Sequence, residues 1–176
     1  MYFDPMYLVF MAPALLLAFY AQMKVRSAYG TYTKTANSRG LTGLDAARVI
    51  LGPEGLGHVQ IEGTRGELTD HYDPRSKKLA LSAGVAQQPS VAALAIVAHE
   101  IGHALQDHQG YAPLKLRGAI VPAVTVSSWV APLLFFAGLL LGLTELAWVG
   151  VILFGASVLF ALVTLPVEFD ASRRAL

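Results

Sequence analysis

The sequence predicts an α+β membrane protein in which a small helix-and-antiparallel-sheet domain is joined to about three transmembrane helices. Hydrophobic residues make up 55% of the 176 residues, charged residues make up only 14%, and the mean hydropathy is +0.51. This composition is too apolar for a soluble domain of this size. Three segments without charged side chains, residues 6–23, 118–143 and 146–167, approach the roughly 20 residues that a transmembrane helix needs. The polar region between the first two segments, residues 24–117, is long enough for one small domain.

The first apolar segment predicts an N-terminal transmembrane helix within residues 1–23. A cleaved signal peptide is the alternative, because such peptides also have an apolar stretch near the N-terminus. A signal peptide begins with basic residues. Here no basic residue precedes the apolar stretch, and the acidic Asp4 does, which favours a retained helix. The second and third segments predict a helical hairpin through the bilayer over residues 118–167.

The basic residues predict the orientation in the membrane. All 13 lysines and arginines lie in residues 24–117 or after residue 167, whereas the N-terminus and the connection at Thr144 and Glu145 have none. Lysine and arginine collect on the cytoplasmic side of bacterial membranes. We therefore expect a multi-pass protein of the bacterial inner membrane, with the polar domain and the C-terminus in the cytoplasm. The absence of cysteine agrees with a reducing compartment.

The charge pattern also restricts the partners. The net charge is only +1, and no basic stripe is interleaved with aromatic residues, so we expect no nucleic-acid partner. Membrane lipid is the expected surrounding of the apolar segments. The sequence leaves the oligomeric state open.

Two helices are predicted in the polar domain. Thr42 and Asp45 have the spacing of a capping box, so the first helix should begin there and end at Gly52-Pro53. The second should have Ser90 as its N-cap and run over residues 91–108, with a glycine as its stop signal.

Between these helices the pattern predicts a sheet. Short alternating segments occur at residues 57–62, 67–72 and 77–82, as expected for half-buried strands. The sequence Asp-Pro-Arg-Ser at residues 73–76 is a turn signal between the last two segments. The simplest arrangement is an antiparallel meander.

The second helix contains a metal-ligand pattern, His99-Glu100-Ile101-Gly102-His103. Residues four apart lie on one helix face about 6 Å apart, so the rings of His99 and His103 can reach one ion. Glu100 lies about 100° round the helix from His99, beside the ion, where it can act as a general base for a bound water. This is the HExxH spacing of a zinc hydrolase.

The helix carrying this motif could itself lie in the membrane, as in an intramembrane protease. Its apolar run, residues 91–98, is too short to span and is flanked by glutamines and other polar residues. A buried helix in a small cytoplasmic domain is therefore favoured.

The nearest candidates for a third ligand are excluded by helix geometry. Asp107 lies about 12 Å along the axis from His99, and His108 is also rotated away from the motif face. A metzincin-type extension would need glycine and histidine where this chain has Gln106 and Gln109.

Other candidates remain for the third ligand. Glu145 lies on the wrong side of the bilayer if the charge pattern is right, and so does the N-terminal aspartate. His58 and His71 stay open as ligands, although histidines in or beside strands are more commonly ordinary surface residues. Glu168 and Asp170 directly follow the third span, on the same side as the motif. A carboxylate from either would complete a set of two histidines and one acid, with a fourth position open for water.

Four blocks of the sequence resemble the YugP-like family of bacterial membrane zinc metallopeptidases. The blocks are HYDPR at residues 71–75, LALS at 79–82, AHEIGHALQ at 98–106 and PVEFDASRRA at 166–175. The resemblance runs through almost the whole chain, including the leading span and the hairpin. It implies a zincin-like catalytic domain at residues 24–117 and zinc-dependent endopeptidase activity of the gluzincin type. It also implies one zinc ion per chain, held by His99, His103 and Glu168.

The chain departs from this pattern in two places. Membrane gluzincins place an aspartate four residues after the glutamate ligand, and that position is Ser172 here. Asp170 is the candidate to take over the supporting role. Members of the family usually continue past this block with more helix, whereas this chain stops at Leu176. We expect residues 168–176 to be the start of a helix that is either truncated or short.

The resemblance and the motif together predict a mechanism. Glu100 would deprotonate a zinc-activated water and pass the proton to the leaving amine. The substrate, a peptide or a membrane protein, is expected to lie along the strand at residues 79–82. His71, Tyr111 and Arg173 are candidates for stabilising the oxyanion.

Two further interpretations concern the surface and the class of protein. Lys77 and Lys78 are expected to meet anionic lipid headgroups. A non-catalytic membrane adaptor, stabilised by zinc, is the alternative function, because ligands split across a membrane hairpin would suit a clamp. The intact Glu100 favours an enzyme, since a structural zinc site uses four protein ligands and no base. A transporter is disfavoured because the spans lack charged residues.

Overall fold

The computed structural model describes residues 5–176, which form helices around one small sheet. Asp4 and the start of the predicted N-terminal helix lie outside the described residues. In chain order the elements are α1 (Pro5–Tyr32), α2 (Gly43–Leu51), β1 (Gln60–Thr64), β2 (His71–Asp73), β3 (Lys78–Ser82), α3 (Ala83–Gln87), α4 (Val91–His108), α5 (Ala112–Leu141) and α6 (Thr144–Arg174).

Both predicted helix starts in the polar domain are confirmed. The Thr42 hydroxyl accepts a hydrogen bond from the Asp45 amide, and the Asp45 carboxylate accepts one from the Thr42 amide. The Ser90 hydroxyl accepts a hydrogen bond from the Ala93 amide at 3.1 Å. These contacts satisfy amide groups that have no partner inside the first helical turn. Local spacing was therefore sufficient to place α2 and α4.

The sheet differs from the predicted antiparallel meander. Its strand order is β1-β3-β2, and β3 pairs in parallel with β1 and antiparallel with β2. β3 is apolar and buried over most of its length, which is typical of a central strand. The segment predicted as the middle strand is mostly loop, because Gly66 and Leu68 adopt positive φ angles of 99° and 55°. Only His71–Asp73 of that segment joins the sheet.

The core of the domain lies between α2, α4 and the sheet. Val97 and Ile101 on α4 are almost fully buried and belong to the same cluster as Leu79 and Leu81 of β3 and Ala47 of α2. The prediction that the motif helix is a buried helix of the domain is confirmed. Because the core fixes one face of α4, the adjoining face carrying the histidines has a defined direction.

The helical hairpin consists of α5 and α6, joined at Gly142 and Leu143. Gly142 has a φ of 66°, a left-handed conformation that glycine adopts without strain, so the turn comes just before the predicted Thr144–Glu145 connection. The two helices are in close contact, since a Cβ on Gly138 would lie 2.4 Å from the Ala147 amide nitrogen. Small residues at such positions let membrane helices approach closely.

Within residues 5–176, α5 and α6 are the two helices long and apolar enough to cross a membrane. The first predicted span falls in α1, which extends to Tyr32, and a third transmembrane helix stays a prediction. α6 continues without interruption past Pro166 to Arg174. At its end it meets α4, where a Cβ on Gly102 would lie 2.5 Å from the Ala171 carbonyl oxygen. Glycine at this position therefore lets the end of the hairpin pack directly on the motif helix.

Candidate metal centre

The close contact of α4 with α6 brings three metal-ligand side chains together. His99 Nε2 lies 3.2 Å and His103 Nε2 lies 3.4 Å from Glu168 Oε2. One ligand atom from each residue lies within 4.8 Å of the other two. Among residues 5–176, these three side chains form the cluster of histidine and acidic residues that could hold a metal ion. In the sequence, most of the α5–α6 hairpin separates Glu168 from the motif, whereas in the fold Glu168 lies next to it.

The geometry of the three atoms fits a zinc ion. Zinc binds nitrogen and oxygen ligands at about 2.0–2.2 Å, so neighbouring ligands of a tetrahedral site are about 3.3–3.6 Å apart. The distances from Glu168 Oε2 to the two imidazole nitrogens, 3.2 and 3.4 Å, are close to this separation. Two imidazoles and one carboxylate are also the ligand types of catalytic zinc sites, which leave a fourth position open.

The outer nitrogens of both imidazoles have hydrogen-bond partners that fix the rings. His103 Nδ1 lies 3.0 Å from Gln106 Oε1. The amide group of Gln106 is oriented by donating from Nε2 to the Val167 carbonyl and to Asp170 Oδ2. Its oxygen must therefore accept the proton of His103 Nδ1, which leaves the lone pair of Nε2 available to a metal ion shared with Glu168.

The corresponding partner of His99 is Ser172, whose Oγ lies 3.2 Å from His99 Nδ1. Ser172 occupies the position where the related pattern has aspartate, and its hydroxyl contacts the ligand directly. Asp170 contacts the site at one remove, through the hydrogen bond from Gln106 at 2.9 Å, and it also accepts a hydrogen bond from Arg174 Nε. Asp170 was the expected hydrogen-bonding support for the ligand side chains. In the structure, Asp170 supports His103 through Gln106, and Ser172 contacts His99.

In the sequence, Gln106 marks only the departure from a metzincin-type extension. In the structure, it is fully buried against His103, which identifies it as a residue that supports a metal ligand. We predict that Gln106→Leu weakens zinc binding by about 10- to 100-fold, the usual cost of losing an outer partner of a ligand. Competition titration with a zinc chelator measures this, with Gln87→Leu, an exposed glutamine at the end of α3, as the matched control. Equal zinc affinity of the two variants would contradict the role assigned to Gln106.

Glu100 lies beside the three converging side chains. Its Oε2 accepts a hydrogen bond of 3.0 Å from the backbone amide of Tyr72 in β2. Burial raises the pKa of Glu100, and the neighbouring His103 and His99 and the Tyr72 amide oppose that shift. A buried carboxylate that is held by one amide and faces the cluster is suited to accept a proton.

β2 is fastened to α4 by a second set of contacts. The Tyr72 hydroxyl donates to Asp107 Oδ2 at 2.7 Å, and Lys77 Nζ pairs with the same oxygen. Burial and the adjacent Asp107 raise the pKa of Tyr72, so the phenol keeps its proton and remains a donor. Asp107 thus positions the strand that holds Glu100, which agrees with its exclusion as a metal ligand.

The contact of Lys77 and Lys78 with lipid headgroups stays a prediction, and both lysines form ion pairs within the domain. Lys77 pairs with Asp107, and Lys78 Nζ lies 2.7 Å from Glu62 Oε2. Their charges are therefore compensated within the domain. The positive φ of Lys77, 55°, also marks it as part of a tight turn.

An open cavity of about 550 Å³ lies over the cluster. Its floor contains His99, Glu100, His103 and Glu168, one wall consists of residues 70–75, and another wall consists of Leu114, Arg117, Gly118 and Val121 of α5. The cavity can therefore accommodate a polypeptide segment beside the cluster.

Of the proposed oxyanion-stabilising residues, His71 lines the cavity. Tyr111 and Arg173 are not among the lining residues within the described part of the chain, and Tyr111 instead packs against the Arg174 guanidinium. Arg117 is a cavity residue that sequence reasoning missed, and its Nη1 lies 3.4 Å from Glu168 Oε1. Its position as the last charged residue before the second span was the available signal.

The remaining sequence candidates lie elsewhere. The ring of His58 is 6.1 Å from that of His108, and neither belongs to the cluster. The expectation that substrate pairs with residues 79–82 is wrong, because β3 has β1 on one side and β2 on the other. The strand edge that lines the cavity is β2.

Comparisons with known proteins point to zinc peptidases. Residues 7–176 match the protein family described as "Putative neutral zinc metallopeptidase". The chain is 48% identical over 162 residues to "Putative membrane protease YugP" of Bacillus subtilis (strain 168), an alignment that covers 92% of this chain and 72% of that protein. No solved structure matches the chain.

Proposed function

This chain belongs to the zinc metallopeptidase family that it matches, as its motifs indicated, and we propose that it is a membrane-embedded, zinc-dependent endopeptidase. The observation that carries the proposal is the convergence of His99, His103 and Glu168, with Glu100 beside them at the floor of an open cavity. Three protein ligands with an adjacent carboxylate are characteristic of catalytic rather than structural zinc sites.

His99 and His103 would each hold the zinc ion through Nε2, and Glu168 would hold it through Oε2. When bound, zinc supplies Lewis-acid chemistry, which polarises a peptide carbonyl and makes water more acidic. Arg117 lies against the other carboxylate oxygen of Glu168, so it would hold that side chain in the orientation that presents Oε2 to the two imidazoles.

Hydrolysis adds the oxygen of water to the peptide carbonyl carbon and breaks the bond from that carbon to nitrogen. Glu100 accepts one proton from the attacking water and returns it to the leaving nitrogen. The amide of Tyr72 holds Glu100 in place for both transfers. Of the side chains lining the cavity, His71 and Arg117 are suited to donate hydrogen bonds to the negative charge that develops on the carbonyl oxygen.

We further propose that the protein is multi-pass, with the catalytic domain in the cytoplasm of a bacterial cell and a third span within α1. The apolar helices α5 and α6 and the name of the Bacillus subtilis relative support membrane association. The basic residues support the orientation, since Lys115 and Arg117 at the start of α5 and Arg173 and Arg174 at the end of α6 lie at the same end of the hairpin.

The proposal is tested on the full-length protein in detergent, with casein as substrate and zinc content measured in parallel. We predict one zinc ion per chain, complete loss of cleavage after treatment with 1,10-phenanthroline, and recovery when zinc is added back. Cleavage that persists without zinc would refute the proposal.

The adaptor alternative has one supporting feature, because the cluster ties α4 to the end of the hairpin. It predicts that one zinc ion is bound but that neither casein nor a panel of membrane proteins is cleaved. The adjacent Glu100 favours hydrolysis, since a purely structural site has no use for a buried base.

A further inference from the structure

We propose that the cavity accepts polypeptide segments that emerge from the membrane, and that the bond to be cut lies within a few residues of the substrate's own membrane anchor. This inference rests on the proposed peptidase function and specifies its substrate class. Its starting point is that one wall of the cavity is a membrane helix. Leu114, Arg117, Gly118 and Val121 are spaced three and four residues apart, so they form one face of α5.

The length of the hairpin gives the depth of this wall. α5 has 30 residues, which is about 45 Å of helix, whereas the hydrocarbon core of a bilayer is about 30 Å thick and takes about 20 residues. With the turn at Gly142 and Leu143 at the far surface, the hydrocarbon part of α5 extends from Leu141 back to about residue 122. The wall then crosses the headgroup layer, from Val121 at the hydrocarbon edge to Leu114 about 12 Å from that edge.

The same count along α6 gives the depth of the cluster. Twenty residues from Thr144 reach about residue 163, and Glu168 is five residues further, about 7 Å beyond the hydrocarbon. The headgroup region adds about 5–8 Å on each side of the bilayer. The metal centre therefore lies at the membrane surface itself.

The cavity wall reaches the edge of the part of α5 that faces lipid. Val121 lines the cavity, is 37% exposed and directly precedes the hydrocarbon part of α5. A peptide in free solution would have to enter the headgroup layer to reach the floor of the cavity. A segment next to a transmembrane helix is already in this layer, at high effective concentration.

These depths predict the position of the scissile bond. An extended chain advances about 3.3–3.6 Å per residue. A substrate chain that leaves the hydrocarbon perpendicular to the membrane therefore needs about two residues to reach the metal centre, about 7 Å away, and a chain that runs obliquely needs about five. Segments further from the anchor extend into solution and gain less from the apolar wall. The cut sites of a good substrate should therefore lie about two to five residues from the hydrocarbon edge.

The test uses the full-length protein in liposomes of phosphatidylethanolamine and phosphatidylglycerol. The probe is a library of single-span proteins whose 30-residue tail on the catalytic side is randomised, and the control is the same tail library without the span. Mass spectrometry maps the cut positions. We expect cuts to cluster within about five residues of the span and to be at least about tenfold more frequent than in the free tails.

A steric variant tests the wall independently. A Cβ on Gly118 would meet no heavy atom within 4 Å in the described part of the chain, and Gly118 lines the cavity, so Gly118→Leu adds a side chain there with room for its first atom. Gly155 in α6 is equally open and gives the matched control Gly155→Leu. We expect Gly118→Leu to lower cleavage of the anchored library by about tenfold at unchanged zinc content, and Gly155→Leu to leave cleavage unchanged.

The outcomes separate this inference from the proposed function. Cuts spread evenly along the tail, or equal cleavage of anchored and free tails, would overturn the membrane-surface specificity while the peptidase function stands. Equal activity of the Gly118→Leu and Gly155→Leu variants would overturn the role of the α5 wall. Zinc binding without cleavage of either library would overturn the peptidase function and this inference with it.

Discussion

Glu100→Gln is expected to retain zinc and to lower the turnover number by about 10²- to 10⁴-fold, the usual contribution of general acid–base catalysis. Glutamine has the same shape as glutamate and can still accept the hydrogen bond that the Tyr72 amide donates to Glu100. It cannot accept the proton of the attacking water. The ligand geometry of His99 and His103 should therefore survive, while proton transfer is lost.

The measurement compares zinc content and initial rates of casein cleavage for the wild type and the Glu100→Gln variant. Glu67→Gln, at an exposed position in the loop before β2, is the matched control and should behave as the wild type. Undiminished turnover of the Glu100→Gln variant would remove Glu100 from the mechanism. Loss of zinc from the same variant would show that Glu100 supports the ligands rather than the reaction.

Glu168→Ala is expected to weaken zinc binding by more than about 100-fold, because losing an outer partner of a ligand already costs about 10- to 100-fold. Without Glu168, the ion would keep two imidazoles and would lose the tie between α4 and α6. Cleavage should fall to background at zinc concentrations that saturate the wild type. The cause is loss of the metal rather than loss of the base.

The matched control is Glu145→Ala, the same substitution at the other end of α6. It should leave zinc content and cleavage unchanged. Metal analysis after dialysis against a chelator of known affinity provides the comparison. Equal zinc retention by the Glu168→Ala and Glu145→Ala variants would exclude Glu168 as a ligand.

Local signals in the sequence predicted the helices well, because each depends on residues a few positions apart. The capping contacts of Thr42 with Asp45, the N-cap Ser90 and the HExxH spacing all lie within single turns. The apolar segments of α5 and α6 are likewise a local signal, since length and composition alone make these helices able to cross a membrane. These features could be derived before any tertiary contact was known.

The sheet could not be predicted in the same way. Alternating segments suggested consecutive antiparallel pairing, whereas β3 lies between β1 and β2. Strand order depends on contacts between distant segments and on loop conformations such as the positive φ of Leu68. The one local indication was the unbroken apolar run Leu79-Ala80-Leu81, which is more typical of a central strand than of an edge strand.

The candidate site shows the same division. The motif and a resemblance extending across the hairpin sufficed to nominate His99, Glu100, His103 and Glu168. Gln106 contacts His103 from three residues further along α4, whereas the contacts of Tyr72 with Glu100 and of Ser172 with His99 arise where β2 and α6 pack against α4. No spacing rule predicts these last two contacts, because dozens of positions separate the partners in the chain.

The central claim is that one zinc ion is held jointly by two imidazoles of α4 and a carboxylate of α6. Zinc K-edge X-ray absorption of the purified full-length protein, beside the Glu168→Ala variant, tests it most directly. We predict two imidazole nitrogens and a carboxylate oxygen at about 2.0–2.2 Å in the wild type, and loss of the carboxylate contribution together with most of the zinc in the variant. An identical zinc environment in both proteins, or a wild-type environment with fewer than two imidazoles, would contradict the account.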